Sequence, residues 1–316
     1  MKQLITFAII LFSTVLVAQK TSTIAFYNVE NLFDTIDGTN DDAEFLPASK
    51  SAWNSVKFNE KTSHVAQVIN ELQYPLIIGL CEIENAGVVR NVLQKTTIKT
   101  FGLVHYESPD ARGIDVALIY DSLRLKLAAS GNIRFTLPGQ TAPTTRDIVW
   151  GKFTTKKDVI YALVNHWPSR RSGQDESEIL RLAAAQNARR FIDSILSINK
   201  EAKIVLMGDL NDYPADKAPQ LIQEKLTPMI VPSSGKFGGT HNYKDEWHVM
   251  DHIFVSKGFQ SKKGLKVIPS SGKIYSFEYL LQTYKGQIVP FRTFGGNVIV
   301  MTETTEVLDF IRSQDW

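Results

Sequence analysis

The stretch Lys203-Ile204-Val205-Leu206-Met207-Gly208-Asp209-Leu210-Asn211-Asp212 runs four apolar residues straight into a glycine, a carboxylate and an amide. A short apolar run bounded by turn residues reads as a buried strand. Asp209 and Asn211 stand two apart, so on an extended segment both point to the same side. The arrangement recurs in FYNVEN (26–31), GLCEIEN (79–85), LVNHW (163–167) and HVMDH (248–252). Each alone is by default a turn or a helix cap. Five together match the way a layered fold gathers polar groups at strand ends into one cleft.

Outward from these ends, apolar β-branched runs alternate with helical patterns, which predicts α/β or α+β architecture. Strands are expected over 23–28, 76–82, 113–120, 148–153, 159–165, 203–208 and 249–256, and helices over 60–72, 86–93, 174–199 and 216–224. Ile179, Leu182, Ala183, Gln186, Arg190, Ile192 and Ile195 form a mostly apolar stripe on the longest helix, fitted to cover a sheet face. No repeat and no Pro/Ser-rich linker divides the chain, so one domain is expected from about Gln19 onward.

Composition removes other classes. Of 316 residues, 43% are hydrophobic and 22% charged, as in ordinary globular proteins. Lysine and arginine number 35 against 33 acidic residues, which gives no broad basic surface for nucleic acid, so such a partner has to be gripped locally. A single cysteine, Cys81, excludes intramolecular disulfides and thiolate zinc clusters. Residues 1–18 follow the signal-peptide pattern, with Lys2, an apolar run over 4–18 and a small residue, Ala18, before the expected cut. That run is shorter than the roughly 20 residues needed to span a bilayer. The expected mature protein is periplasmic or secreted, with no stable membrane association once the leader is removed.

Hydrolysis of a phosphate ester suits the strand-end groups. Magnesium prefers oxygen ligands and is held by one or two carboxylates plus the substrate's phosphate. Glu82 is the leading carboxylate ligand, with the Asn28 amide oxygen beside it. Asp209 can accept a proton from attacking water while Asn211 donates to a phosphoryl oxygen, and His166 can donate or relay a proton.

FYNVENLF (26–33), GLCEIEN (79–85), RGIDVALIYD (112–121), VNHWPSRRSG (164–173), GDLND (208–212) and MDHIFVS (250–256) stand in the order and approximate spacing of the endonuclease/exonuclease/phosphatase superfamily. The chain resembles this group, which includes pancreatic deoxyribonuclease, and most of all its exported bacterial branch. The resemblance implies a four-layer α/β sandwich, two packed central sheets flanked by helices, with Mg²⁺ or Mn²⁺ in a cleft at one edge. It implies Asn28 and Glu82 as metal-binding residues, Asp209 as the residue that orients the water, Asn211 as its amide partner, and His166 as the central-motif histidine. Asp251 matches an aspartate that orients a second histidine. Asp115 and Arg112 match or adjoin a polar position of the third motif, Arg112 being placed to hold a phosphate. Both keep an alternative reading: Asp115 as a strand start, Arg112 as the partner of Asp110 or Asp115. Arg170, with Arg171 and Trp167, is a candidate contact to a phosphate backbone, with a solvated loop as the alternative.

The family's second histidine sits in a Ser-Asp-His motif after a PFRT segment. Here PFRTFGG (290–296) leads into NVIVMTETTEVLDFIRSQDW (297–316), and no histidine follows His252. Residues 297–316 are therefore expected to be an atypical tail replacing the last strand, to leave a sheet edge exposed, and to lower activity. The leading expectation is an exported, metal-dependent endonuclease acting on nucleic acid or another phosphodiester. The alternatives are a phosphomonoesterase or lipid phosphodiesterase of the same fold, or a catalytically impaired phosphate-binding protein.

Overall fold

The computed structural model describes residues 21–72, 75–170, 173–261 and 264–291, together with the backbone of 305–313. The expected leader over 1–18, Arg171 and the PFRT arginine lie outside the described residues. Two large sheets form the centre. The first contains β1 (Thr21–Leu32), β2 (Pro75–Ile83), β3 (Phe101–His105) and β4 (Asp115–Asp121). The second contains β5 (Lys126–Ile133), β6 (Ile148–Thr154), β7 (Val159–His166), β8 (Lys203–Asp209), β9 (Thr227–Pro228) and β12 (Asp251–Val255). A short hairpin, β10 (His241–Tyr243) with β11 (Glu246–His248), precedes β12. Later in the chain, β13 (Leu265–Val267), β14 (Lys273–Tyr275) and β17 (Thr305–Ser313) extend the first sheet, and β15 (Leu281–Tyr284) and β16 (Gln287–Pro290) form a second hairpin.

The central strands are buried on both faces, and alternate side chains pack into different cores, which builds four layers. In β1, Ile24 and Phe26 face the second sheet, packing in one core with Val164, Val205, Met207 and Ile253. Ala25 and Tyr27 face the opposite way, against Val65 and Ile69 of α1 (Ser55–Glu71) and Val88 and Val92 of α2 (Ala86–Lys95). The outer face of the second sheet, with Leu163, Ile204 and Leu206, packs on α3 (Gln174–Ile198) and α4 (Lys217–Gln223) through Ala184, Ala188, Ile192 and Ile222. The order is helices, sheet, sheet, helices, the sandwich that the sequence resemblance implies. Gly79 marks a close approach of the sheets, since a Cβ there would lie 2.7 Å from the Met207 sulfur. Among the described residues no helix is long and apolar enough to cross a membrane.

Four expectations change. Of the stripe expected on α3, Ile192 and Ile195 are buried, but Ile179, Gln186 and Arg190 are exposed, and Ala184, Ala185 and Ala188 face the sheet instead. The helix expected from 60 begins at Ser55, because the Asn54 side chain caps it by accepting from Val56 N at 3.0 Å and Lys57 N at 3.2 Å. β3 and β5 were not expected, since both are half-exposed edge strands with weak alternation. The exposed edge expected beside β1 is covered: β17 pairs with β1 in antiparallel register from Thr21↔Arg312 to Asn28↔Thr305. Ladder hydrogen bonds are made by backbone groups, so an unusual sequence can still fill the position. What the family motif supplies there, a histidine, is missing from Thr305–Ser313.

Candidate metal and phosphoester site

Topology brings the strand ends together. β1 and β2 are parallel, as are β7 and β8, so Asn28, Glu82, His166 and Asp209 all emerge at the same edge of the sandwich. β12 runs antiparallel to β8 and places Asp251 opposite Asp209. The β1/β2 ladder is broken next to Asn28 and Glu82 by register shifts, with Glu30, Asn31 and Glu82 at φ of 50°, 54° and 60°. Such bulged, left-handed residues re-aim side chains at about 1–3 kcal/mol each, a cost that recurs at functional sites.

Asn28 sits at the centre. Its Nδ2 donates to Glu82 Oε1 and to Asp209 Oδ2, both at 3.2 Å. Its Oδ1 accepts from Glu30 N at 2.9 Å. The Asn28 oxygen thus accepts one backbone hydrogen bond, and its nitrogen bridges two carboxylates. Glu82 Oε2 accepts from Asn31 N at 3.0 Å, and Asp209 Oδ1 from Asn211 N at 2.9 Å. His166 Nε2 lies 4.0 Å from Glu82 Oε1 and 3.9 Å from Asp209 Oδ2. One ligand atom from each of Glu82, His166 and Asp209 falls within 4.8 Å of the others, a spacing that suits a single cation.

Burial dominates the electrostatics there. Burial raises the Glu82 carboxyl above its ordinary range, Asp209 and Glu30 raise it further, and the Asn28 hydrogen bond and Arg112 oppose the shift. Burial, then Arg146 and Arg112, hold His166 well below the usual histidine range, so it is neutral at physiological pH. The half-buried Glu82 and the buried Asp209 share one amide donor and offer an oxygen-rich set of the kind magnesium or manganese occupies.

The other expected site residues divide. Asn211, at φ 51°, donates from Nδ2 to Trp167 O at 3.0 Å, so its amide braces the β7 end. Asp251 is fully buried, with its backbone N donating to Thr240 Oγ1 at 3.1 Å. His252 points away from the cleft, donating from Nε2 to Asp212 O at 2.9 Å, and burial lowers it to about 4. Asp115 is not joined to the cluster: it accepts from His105 Nε2 at 3.0 Å and Ser108 N at 2.9 Å. Arg170 turns inward, from Nη2 to Asp212 at 2.9 Å and to Asp216, and from Nε to Asn211 O at 2.8 Å, with its guanidinium 3.9 Å over the Tyr213 ring. Its contacts brace the Asp209–Asp212 turn, which corrects the expected contact to a phosphate backbone. Arg112 keeps a side chain one-third exposed. The residue that sequence reasoning missed is Arg146, buried between Asp110 and Trp167 O. Its partners lie 36 and 21 residues away, and no local pattern marks it.

A family described as Endonuclease/Exonuclease/phosphatase matches residues 23–305. The chain belongs to that family. Its name covers enzymes that cut nucleic acid or release phosphate, chemistry that fits the strand-end cluster. Among solved structures, an endonuclease/exonuclease/phosphatase from Bacteroides vulgatus shares 15% identity over 94% of this chain and 100% of that one, with a TM-score of 0.59. The human Nocturnin catalytic domain with bound sulfate shares 16% over 93% and 95%, at 0.57. A mannosyl-6-phosphatase from Bacteroides thetaiotaomicron shares 14% over 92% and 99%, at 0.58. At these identities the likeness is one of fold. No curated protein sequence matches the chain.

Proposed function

We propose that this endonuclease/exonuclease/phosphatase family member is an exported, divalent-metal-dependent phosphodiester hydrolase, with nucleic acid as its leading substrate and Mg²⁺ or Mn²⁺ as its cofactor. The observation that supports this is the convergence of Glu82, His166 and Asp209 from both sheets, with Asn28 bridging the carboxylates. Glu82, with Asp209 and His166, would hold a cation, which would supply charge against that developing on the phosphoryl and leaving oxygens. Asp209, fixed by Asn211 N, orients a water and takes its proton as the water oxygen bonds to phosphorus. The P–O bond to the leaving group breaks, and that oxygen collects a proton from solvent or from the imidazole once it has been charged. Arg112, exposed at the rim, holds a non-bridging oxygen. The leader pattern over 1–18 supports a periplasmic or secreted location.

A second reading is a phosphomonoesterase, favoured by the structural likeness to the mannosyl-6-phosphatase. A third is impaired turnover, favoured by Thr305 standing opposite Asn28 in a strand without histidine. One experiment separates them: purified protein with Mg²⁺, Mn²⁺ or EDTA on plasmid DNA, RNA, bis-p-nitrophenyl phosphate and p-nitrophenyl phosphate. Metal-dependent nicking and diester turnover, lost in Glu82→Ala and Asp209→Ala, support the proposal. Turnover of the monoester alone replaces it with the second reading, and metal-dependent phosphate binding without turnover replaces it with the third.

A further inference from the structure

Asp110 lies between two arginines and pairs with them unequally. Its Oδ2 accepts from Arg146 Nη1 at 3.0 Å, whereas the Arg112 Nε stands 4.0 Å from Oδ1. That second oxygen accepts instead from the Arg112 backbone N at 3.1 Å. The turn is closed by Gly113 N donating to Asp110 O at 2.9 Å, with Gly113 at φ 72°, and by Asp41 N donating to Ala111 O at 2.8 Å. The Arg112 backbone is therefore pinned while its guanidinium stays at the rim.

Arg146 also reaches the other sheet's strand ends. Its Nη2 donates to Trp167 O at 2.9 Å, the same carbonyl that accepts from Asn211 Nδ2 at 3.0 Å. Trp167 N in turn donates to Asp209 O at 3.0 Å. Arg146 is only 9% exposed, and its Nε has no hydrogen-bond partner among the described residues. Charge partnering alone would not require a buried guanidinium at this junction, since burial of an arginine is costly unless its contacts are good. The junction joins the residues on both sides of the cleft: the Arg112 turn, the strand end of His166, and Asn211.

We propose that Arg146 is a positioning residue of the phosphoester site. By neutralising Asp110 it leaves the Arg112 guanidinium available to a phosphoryl oxygen, and through the Trp167 carbonyl it fixes Asn211. This role rests on the phosphoesterase reading above. Without Arg146, the Asp110 carboxylate captures Arg112, the nearest remaining cation, and draws it off the rim.

The test uses the full chain with Mn²⁺, measuring kcat and KM for bis-p-nitrophenyl phosphate and, independently of turnover, the affinity for inorganic phosphate. Arg112→Ala, Arg146→Ala, the double variant, Asp110→Asn/Arg146→Ala and Arg146→Lys are compared. The two single alanine variants are expected to lose phosphate affinity to a similar extent, and the double variant to lose no more than about threefold beyond either, because residues acting through one another are non-additive. Adding Asp110→Asn to Arg146→Ala is expected to recover phosphate affinity, since a neutral residue 110 no longer captures Arg112. A merely structural arginine regains stability but not phosphate affinity when its partner is neutralised, so urea denaturation is measured beside the affinity. Arg146→Lys keeps the charge on Asp110 and is expected to lose less affinity than Arg146→Ala, which also serves if the alanine variant does not fold. Additive losses, or no recovery in Asp110→Asn/Arg146→Ala, overturn the positioning role. A wild type that neither hydrolyses the diester nor binds phosphate overturns the phosphoesterase reading and this role with it, a result seen on the wild type alone.

Discussion

Two buried charge clusters adjoin at one edge of the sandwich, and they are built on opposite principles. Around Asp212, Arg181 donates from Nε at 2.7 Å and Arg170 from Nη2 at 2.9 Å, both to Oδ1, and Arg181 adds Ser177 Oγ at 2.7 Å. Around Asn28, two carboxylates share one amide, and the nearest imidazole is neutral. The first cluster brings its own counter-charge, and its product is a rigid Asp209–Asp212 turn. The second gathers carboxylates around a neutral imidazole, with Arg112 acting on Glu82 from the rim, and a divalent cation is its proposed occupant. Arginine-paired carboxylate thus marks the bracing turn, and carboxylates grouped with an imidazole mark the candidate site.

The sharpest way to break that contrast is to compare turnover with stability. Glu82→Ala and Asp209→Ala are expected to lower metal-dependent diester turnover by about 10²–10⁴-fold, as loss of a charge-stabilising or proton-handling group does. Arg181→Met leaves Asp212 partly unpaired at full burial, and urea denaturation is expected to show a loss of about 3–5 kcal/mol, while Glu82→Gln stays within about 1 kcal/mol of wild type without metal. Equal stability losses in the two clusters would erase the distinction.

Cation binding gives the next effect. Mn²⁺ at a hundredfold excess over its dissociation constant is expected to stabilise the wild type by about 2.7 kcal/mol in thermal or urea unfolding, and Glu82→Gln by much less. The smallest effect is in pH. Glu84, beside the cluster and buried, is raised from 4.5 to about 7 by burial first, with Asp34 and Asp42 adding to the shift against the hydrogen bond from Asp34 N. A carboxyl raised on folding has its stabilising contribution intact below pH 4.5 and loses it as pH climbs to about 7. Glu82 is shifted in the same direction. Unfolding of metal-free protein between pH 4 and pH 8 is expected to show falling stability across that window, flattened in Glu84→Gln; a slope unchanged by the substitution removes Glu84 as its source.

The same contrast explains what the sequence made legible. Strand ends with polar residues were readable because apolar runs and turn residues are local signals, and parallel pairing then brings Asn28, Glu82, His166 and Asp209 to one edge without further information. Partnering is non-local, and that is where reading along the chain stopped. Arg170 looks basic and free beside Arg171, yet its acidic partners lie 42 and 46 residues on. Asp115 looks like a site carboxylate, but His105, on the edge strand β3 that weak alternation hid, takes it out of the cluster. The place of Asn28 at a strand end is a local signal, whereas the orientation of its amide depends on Glu30 N, Glu82 and Asp209. The last strand was expected to be lost on side-chain grounds, whereas pairing with β1 depends on backbone.

The central claim is that Glu82, His166 and Asp209 form a cation site. Calorimetric titration of Mn²⁺ into metal-free wild type and Glu82→Gln tests it most directly. The account predicts a single ion bound by the wild type and an affinity at least about tenfold weaker in the variant, the loss expected when one charged ligand of a small set is removed. Equal affinity in the two proteins, or no binding by the wild type, would contradict it.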